Sequence, residues 1–142
     1  MPTRISEAHW NGGFRYGHGT MQIGNGGLAG PYSAGSRFDD ESGNNPEELI
    51  GAAHAGCFSM ALSMLLEQAG YVPEEIDTRA AVRLDVQNGG YRITRIDLTT
   101  WARVPGIDAA QFENFAQTAK TDCPVSKALA GTEITLKAQL SP

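Results

Sequence analysis

The chain has 142 residues, of which 41% are hydrophobic, and this is enough for one domain with its own core. Its formal net charge of −5, with no run of Lys or Arg, argues against a nucleic-acid or anionic-membrane surface and favours a small-molecule partner. Two cysteines do not make a disulfide scaffold or a zinc site, and the scattered His9, His18 and His54 predict no metal centre.

The N-terminal part of the chain is predicted to form short strands joined by glycine turns. Residues 1–10 are predicted as a strand, 11–13 as a turn, 14–23 as the returning strand, 24–27 as a turn and 28–38 as an irregular segment. The start of the chain has no apolar signal core, so we expect a soluble, cytoplasmic protein. GNGGLA at 24–29 matches a nucleotide-binding glycine pattern, but it opens no predicted helix, so hairpin glycines and no cofactor are predicted.

One long helix is predicted over residues 45–70, and the rest of the fold is organised around it. Asn45 is the predicted N-cap, Pro46 stands at the first helical position, Glu48 is the capping acid and Gly70 ends the helix. The apolar residues between them point in nearly every direction, so the helix must be covered on most sides. Glycine, serine and histidine interrupt this apolar stretch, which makes it a poor membrane span.

Residues after the helix predict a hairpin, two further helices and a last strand. Strict alternation over 76–86 indicates a strand, which turns at 88–90 into an antiparallel strand over 91–104 with a bulge between Ile93 and Ile96. Asp108 is predicted to cap a helix to about residue 121, Cys123-Pro124 to open a short helix to about 130, and 133–140 to form a strand. This order predicts an α+β fold with antiparallel sheets, the second of which comes from a two-fold partner chain because one sheet covers only one side of the helix.

Cys57, in the middle of the long helix, is the first candidate for chemistry. A buried cysteine is normally inert, so a nucleophilic role needs a cation, and Arg37 is the best candidate. A carboxylate must in turn fix the guanidinium. At 100° per residue Glu47 lies about 80° round the helix from Cys57 and Glu48 about 180°, so Glu47 is the predicted partner.

Cys123 is the second candidate, because a cysteine at a helix start lies beside free N–H groups that stabilise a thiolate. This position suits a resolving or leaving sulfur. A plain structural alternative stays open for each residue: Cys57 as a core side chain, Cys123 as a quiet N-cap, Arg37 as a loop cation paired with Asp39 or Asp40, and Glu47 as a helix-dipole acid. His54 is either a base or a hydrogen-bonded structural histidine.

Three stretches resemble one known family: NPEELIGAAHAGCFSMALS around Cys57, DCPVSKAL around Cys123, and SRFDDESGNNPEEL upstream. Together they are similar to the OsmC branch of the OsmC/Ohr family of bacterial hydroperoxide reductases. The likeness runs almost end to end, so that residues 1–142 are expected to be a single OsmC-like domain. It implies an intertwined homodimer in which antiparallel sheets wrap around the long buried central helices.

The resemblance also implies roles for four residues. Cys57 matches the peroxidatic cysteine and Cys123 the cysteine that resolves it through a disulfide, while Arg37 and Glu47 match the pair that activates the thiolate and orients the substrate. Arg15 is the alternative to Arg37, since the two branches of the family supply this arginine from different segments.

The implied reaction is the reduction of organic hydroperoxides, alkyl or lipid, and less well of hydrogen peroxide, with a dihydrolipoamide-type dithiol as reductant. Apolar residues expected near the sulfur favour such substrates: Phe38, Phe58, Met60 and Val125. The competing hypothesis is a non-catalytic stress dimer that binds a small ligand or lipid and in which both cysteines only pack.

Overall fold

The computed structural model describes residues 2–142, which form an α+β fold as predicted. The elements are β1 (Ser6–Asn11), β2 (His18–Ile23), β3 (Leu28–Tyr32), α1 (Ala34–Phe38), α2 (Pro46–Gln68), β4 (Glu75–Gln87), β5 (Gly90–Arg103), α3 (Ala109–Asp122), α4 (Pro124–Ala128) and β6 (Glu133–Leu140). The chain divides into two compact units, a first that ends at Leu49 and a second over Ile50–Pro142.

The first unit contains an antiparallel sheet in the order β1-β2-β3. Strand β2 begins at His18 rather than at residue 14, because the chain first closes a turn in which the Gly17 N–H donates to the Gly13 carbonyl at 2.8 Å. Gly24 and Gly26, with φ of +50° and +89°, form the turn between β2 and β3, so the GNGGLA run is a hairpin as predicted.

Residues 28–38 are regular, which corrects the prediction of an irregular segment. They form β3 and the short helix α1, whose N-cap is Ser33. The Ser33 hydroxyl accepts from the Ser36 N–H, and the Ser36 hydroxyl accepts from the Ser33 N–H, which closes a capping box at the start of α1. Ser36 thus takes the place of the acidic residue that usually stands at this position of a capping box.

Helix α2 begins and ends where the sequence predicts. The Asn45 side-chain oxygen accepts from the backbone N–H groups of Glu47 and Glu48 at 2.8 and 3.1 Å, and Gly70 follows the helix with φ of +91°. The Glu48 side chain is exposed, so Glu48 contributes its backbone N–H to the cap rather than the carboxylate that was expected.

One side of α2 is buried and another is not. Phe58, Leu62 and Leu66 are fully buried, whereas Met60 and Met64 are 77% and 54% exposed. With a mean hydropathy of 1.7 the helix is long and apolar enough to cross a membrane. Because a core helix of a soluble protein passes the same test, this is weak evidence for a membrane span. The single chain thus leaves an apolar stripe of α2 uncovered.

The second unit contains the sheet β4-β5-β6. Strands β4 and β5 pair antiparallel through a turn at Asn88 and Gly89, and their register shifts between Arg83 and Leu84, so that Thr94 is the extra residue of the predicted bulge. Strand β6 pairs parallel to β5, which corrects the expectation of purely antiparallel sheets. The connection through α3 and α4 carries the chain back to the other end of the sheet, as a parallel pair requires.

The core of the second unit lies between the β4-β5-β6 sheet, α2 and α3. A short chain of hydroxyl groups crosses it: Ser59 of α2 donates to Thr78 of β4 at 2.7 Å, and Thr78 lies 3.0 Å from the buried Thr100 of β5. These contacts hold the middle of α2 in a fixed orientation on the sheet. The fully buried apolar side chains are Phe58, Leu62, Leu66, Ile96, Leu98, Ala102, Phe112, Ala116 and Ala119.

Candidate active site

The sulfurs of Cys57 and Cys123 meet in the second unit, although they stand 66 positions apart in the sequence. The Sγ atoms are 2.7 Å apart, and both cysteines are free thiols. Cys123 is fully buried and Cys57 is partly exposed, so a reagent reaches the chain through Cys57. The structure therefore brings together the two sulfurs that the sequence singled out.

Local sequence places Cys123 at the junction between α3 and α4. Its N–H donates to the Ala119 carbonyl and ends α3, its carbonyl accepts from the Lys127 N–H and begins α4, and Pro124 takes the first position of α4. The Cys123 side chain makes no cap hydrogen bond and is directed at Cys57 instead. The predicted N-cap position is correct, and the side chain serves the thiol contact.

The surroundings of Cys57 act on its ionisation in opposite directions. Burial raises the pKa of the Cys57 thiol, and the neighbouring Cys123 thiol raises it further. The Val125 backbone N–H donates to the Cys57 sulfur and lowers this pKa, because it stabilises the thiolate. Burial prevails, so a reactive thiolate at Cys57 requires a further positive contribution.

Arg37 and Glu47 meet in the first unit. The Arg37 Nη2 lies 2.7 Å from Glu47 Oε1, and its Nε lies 3.2 and 3.3 Å from the two carboxylate oxygens. Glu47 is only 6% exposed, whereas the Arg37 side chain is 38% exposed. A buried carboxylate thus fixes the plane of a guanidinium that still faces solvent, as the sequence predicts. Within the described residues, Asp39 and Asp40 form no ion pair with Arg37.

A mostly apolar cavity of about 330 Å³ in the first unit contains this guanidinium. Phe14 stacks on Phe38 with ring centroids 5.8 Å apart, and the Arg37 guanidinium lies 5.3 Å from the Phe38 ring. An apolar wall beside one fixed cation suits an apolar molecule that carries a small polar or charged group. The cavity is lined by Trp10, Phe14, Tyr32, Ser33, Ala34, Arg37 and Phe38.

One glycine of β2 makes this aromatic wall possible. Gly19 lies between Trp10 and Tyr32 across the three strands, and a Cβ at Gly19 would stand 2.7 and 2.8 Å from the two rings. The rings themselves are 5.2 Å apart. Sequence reasoning missed Trp10 and Tyr32 because the pairing of three strands brings them together, and it missed Phe14 because that residue lies in the turn between β1 and β2. The signal available in the sequence was an aromatic residue on a strand beside a strand glycine.

The apolar residues expected near the sulfur have different surroundings. Phe58 belongs to the core, Met60 is exposed, and Val125 contributes its backbone N–H. Arg15 lies in the exposed turn after β1, and its side chain makes no ion pair with any described residue. Of the four apolar residues predicted to surround the site, Phe38 is the one that lines the described cavity.

His54 makes a second contact beside the two thiols. It stands three positions before Cys57 on α2, is fully buried, and its Nε2 lies 2.8 Å from the Ser126 hydroxyl of α4. Its other ring nitrogen, Nδ1, has no hydrogen-bond partner among the described residues. Burial lowers the pKa of His54, so the ring is neutral at neutral pH. The structural-histidine interpretation therefore fits this residue, and Ser126 was not foreseen.

The family model described as OsmC-like protein matches residues 39–138. This range includes three of the four predicted site residues, Glu47, Cys57 and Cys123, and begins two residues after Arg37. The chain belongs to the OsmC-like family. It is 52% identical to peroxiredoxin OsmC of Escherichia coli strain K12 over 135 residues, which cover 94% of each protein. It is 29% identical to the organic hydroperoxide resistance protein OhrB of Bacillus subtilis over 97 residues, 68% of this chain and 69% of that protein.

Solved OsmC-like structures have the same fold. The OsmC-like protein of Mycoplasma pneumoniae superposes with a TM-score of 0.79 over 99% of each chain, at 13% sequence identity. At that identity the likeness concerns the fold alone. The resemblance that the cysteine, arginine and glutamate motifs indicated is thus confirmed at the level of the family.

Proposed function

We propose that this OsmC-like chain is a thiol-dependent peroxidase that reduces organic hydroperoxides, alkyl or lipid, and hydrogen peroxide less well. Cys57 is the peroxidatic residue and Cys123 the resolving one. The observation that carries the proposal is the 2.7 Å approach of these two sulfurs, one of them partly exposed and the other buried. The 52% identity to a peroxiredoxin over 94% of the chain supports it.

The proposed reaction has three balanced steps. The Cys57 thiolate attacks the distal oxygen of ROOH, the O–O bond breaks, and Cys57 becomes a sulfenic acid while the alkoxide takes a proton and leaves as ROH. The Cys123 thiol then displaces the sulfenic hydroxyl, which leaves as water with the thiol proton, and the disulfide forms. An external dithiol, for which we propose a dihydrolipoamide type, reduces the disulfide to two thiols and becomes a disulfide itself.

Activation of Cys57 is assigned to Arg37. Burial raises the pKa of this thiol, so the thiolate needs a cation to offset that cost, and Arg37 is a guanidinium whose direction a buried carboxylate already fixes. The same guanidinium is suited to donate hydrogen bonds to the peroxide as negative charge develops on the departing oxygen. Glu47 keeps the guanidinium plane in place, and the aromatic cavity beside Arg37 favours hydroperoxides with an apolar chain.

We also propose that the active form is a homodimer built on α2. Supporting this, the exposed stripe of α2 is apolar along its length and includes two long methionine side chains. Monomeric soluble proteins rarely leave such a helix face uncovered, and a second copy supplies an identical, self-complementary stripe. The stripe consists of Ala52, Ala53, Gly56, Met60 and Met64.

Thiol titration tests the peroxidase proposal. Reduced protein treated with an equimolar amount of cumene hydroperoxide is expected to lose both of its thiols. Cys57→Ser keeps the remaining thiol, whereas Cys123→Ser forms a sulfenic acid that dimedone traps. A wild-type chain that retains both thiols would overturn the proposal and leave the ligand-binding stress dimer as the favoured function.

A further inference from the structure

The short segment that carries Cys123 packs on the apolar core through the partly buried Leu129, and it also contacts α2. Helix α4 has only five residues, too few to be stable alone in water. Within residues 121–130 the buried side chains are those of Cys123 and Ser126. Both reach α2, since Cys123 contacts Cys57 at 2.7 Å and Ser126 contacts His54 at 2.8 Å, and between them the Val125 N–H donates to the Cys57 sulfur. The contacts of Cys123 and Ser126 lie side by side, because His54 and Cys57 are three positions apart on α2 and their partners are also three positions apart.

Of these contacts, the one between His54 and Ser126 is the one that does not end on a reacting sulfur. Once Cys57 is oxidised, its sulfur carries a hydroxyl group and has become an electrophile, so the thiol–thiol contact no longer exists in the same form. The hydrogen bond from His54 to Ser126 involves neither sulfur. It is therefore available in the thiol, sulfenic acid and disulfide states alike.

We propose that His54 and Ser126 are positioning residues that hold α4 against α2 while Cys57 is a sulfenic acid, and so set the rate at which Cys123 resolves it. This inference rests on the peroxidase function proposed above and adds a division of labour. The cysteines react, and the buried pair beside them keeps the second sulfur within reach of the first. Holding two groups in place in this way raises their effective concentration.

A positioning role predicts which step slows. Without the hydrogen bond, α4 spends less time at Cys57, so the condensation of Cys123 with the sulfenic acid slows while the first attack on ROOH continues. Loss of one buried hydrogen bond corresponds to roughly a ten-fold slower resolution. A longer-lived sulfenic acid meets a second hydroperoxide more often, so Cys57 is expected to accumulate as sulfinic acid.

The experiment measures both steps in single-turnover oxidation of the full-length reduced protein by cumene hydroperoxide. Sulfenic acid is quantified by dimedone trapping, disulfide by loss of thiols, and sulfinic acid by intact mass. Ser126→Ala and His54→Leu are expected to keep the rate of sulfenic acid formation near that of wild type and to slow disulfide formation about ten-fold. His54→Gln retains an amide nitrogen near the position of Nε2 and is expected to restore most of the resolution rate.

Ser59→Ala is the matched control, because Ser59 lies on α2 two positions after Cys57 and its hydrogen bond goes to Thr78 of β4 instead of to α4. It should resolve at the wild-type rate. A wild-type resolution rate in Ser126→Ala would overturn the positioning role even if His54→Leu failed to fold. Failure of the peroxidase function would look different, since wild type itself would then form no sulfenic acid.

Discussion

At the residue scale, the proposed activation of the Cys57 thiol depends on the guanidinium of Arg37. Under that proposal, Arg37→Met leaves the Val125 N–H without the help of a cation against the rise in the Cys57 pKa that burial causes. The oxidation of Cys57 by cumene hydroperoxide should then slow by about a hundred-fold or more. The pH at which iodoacetamide alkylates half of Cys57 should rise at the same time, because the thiolate has lost its cation. Stopped-flow thiol oxidation and a pH series of alkylation rates measure the two effects.

Arg15→Met is the matched control, because Arg15 is an exposed arginine outside the ion pair with Glu47. It should oxidise at the wild-type rate. If Arg15→Met were slow and Arg37→Met fast, the activating role would belong to Arg15. Glu47→Gln should fall between wild type and Arg37→Met, since it keeps the cation but loosens its orientation.

His54 gives the molecule a stability that depends on pH. Its folded-state pKa is lowered from 6.5 by burial, so below that pH the unfolded chain binds a proton that the folded chain excludes. The free energy of unfolding should therefore fall as the pH drops below about 6.5, by up to about 1.4 kcal/mol per pH unit. Urea unfolding of the reduced protein between about pH 7 and about pH 5 measures this slope.

His54→Gln should flatten this slope, whereas His9→Gln should keep it, because His9 is exposed on β1. Asp85 and Asp97, whose pKa values are lowered mainly by hydrogen bonds from Thr94 and Thr135, titrate at more acidic pH and do not interfere. A wild-type slope retained in His54→Gln would contradict the prediction.

At the element scale, the parts of the fold that local chemistry determines were predictable. The ends of α2 follow from Asn45 and Gly70, and the slip of the apolar phase around Thr94 located the bulge of β5. The parallel pairing of β6 was not predictable, since its alternating pattern is compatible with either direction. The aromatic cavity was missed for a similar reason, because it depends on register across three strands.

Asn45 connects two elements, and its replacement should affect both stability and chemistry. Its side-chain oxygen caps α2, and its Nδ2 donates to the Ser36 and Arg37 carbonyls at 3.1 and 3.2 Å. Asn45→Ala should cost about 1–2 kcal/mol in urea unfolding. It should also slow Cys57 oxidation several-fold, because the last turn of α1 carries Arg37.

Asp108→Ala provides the comparison, since Asp108 caps α3 by accepting from the Gln111 N–H at 2.8 Å, a contact within the second unit. It should lower the free energy of unfolding by about 1 kcal/mol without slowing the oxidation of Cys57. Equal oxidation rates for Asn45→Ala and Asp108→Ala would mean that the Asn45 contacts stabilise the helix start without orienting Arg37.

At the scale of the whole molecule, the uncovered stripe of α2 accounts for a contrast between sequence and structure. The sequence predicts a helix that is apolar nearly all round, and the single chain buries only one side of it. The sequence pattern predicts that the helix needs a cover, but the pattern of one helix does not identify the covering surface. The proposed second copy in contact with α2 would satisfy the pattern without any further element.

Met60→Glu tests that assembly. A carboxylate on each copy of a two-fold interface would be desolvated close to its own symmetry mate, and both effects oppose association. Light scattering coupled to gel filtration should give a dimer for wild type and a shift toward monomer for Met60→Glu. Val86→Glu, at a residue 69% exposed on β4 and outside the stripe, should remain dimeric. A monomeric wild type, or a Met60→Glu dimer as stable as Val86→Glu, would place the interface elsewhere or remove it.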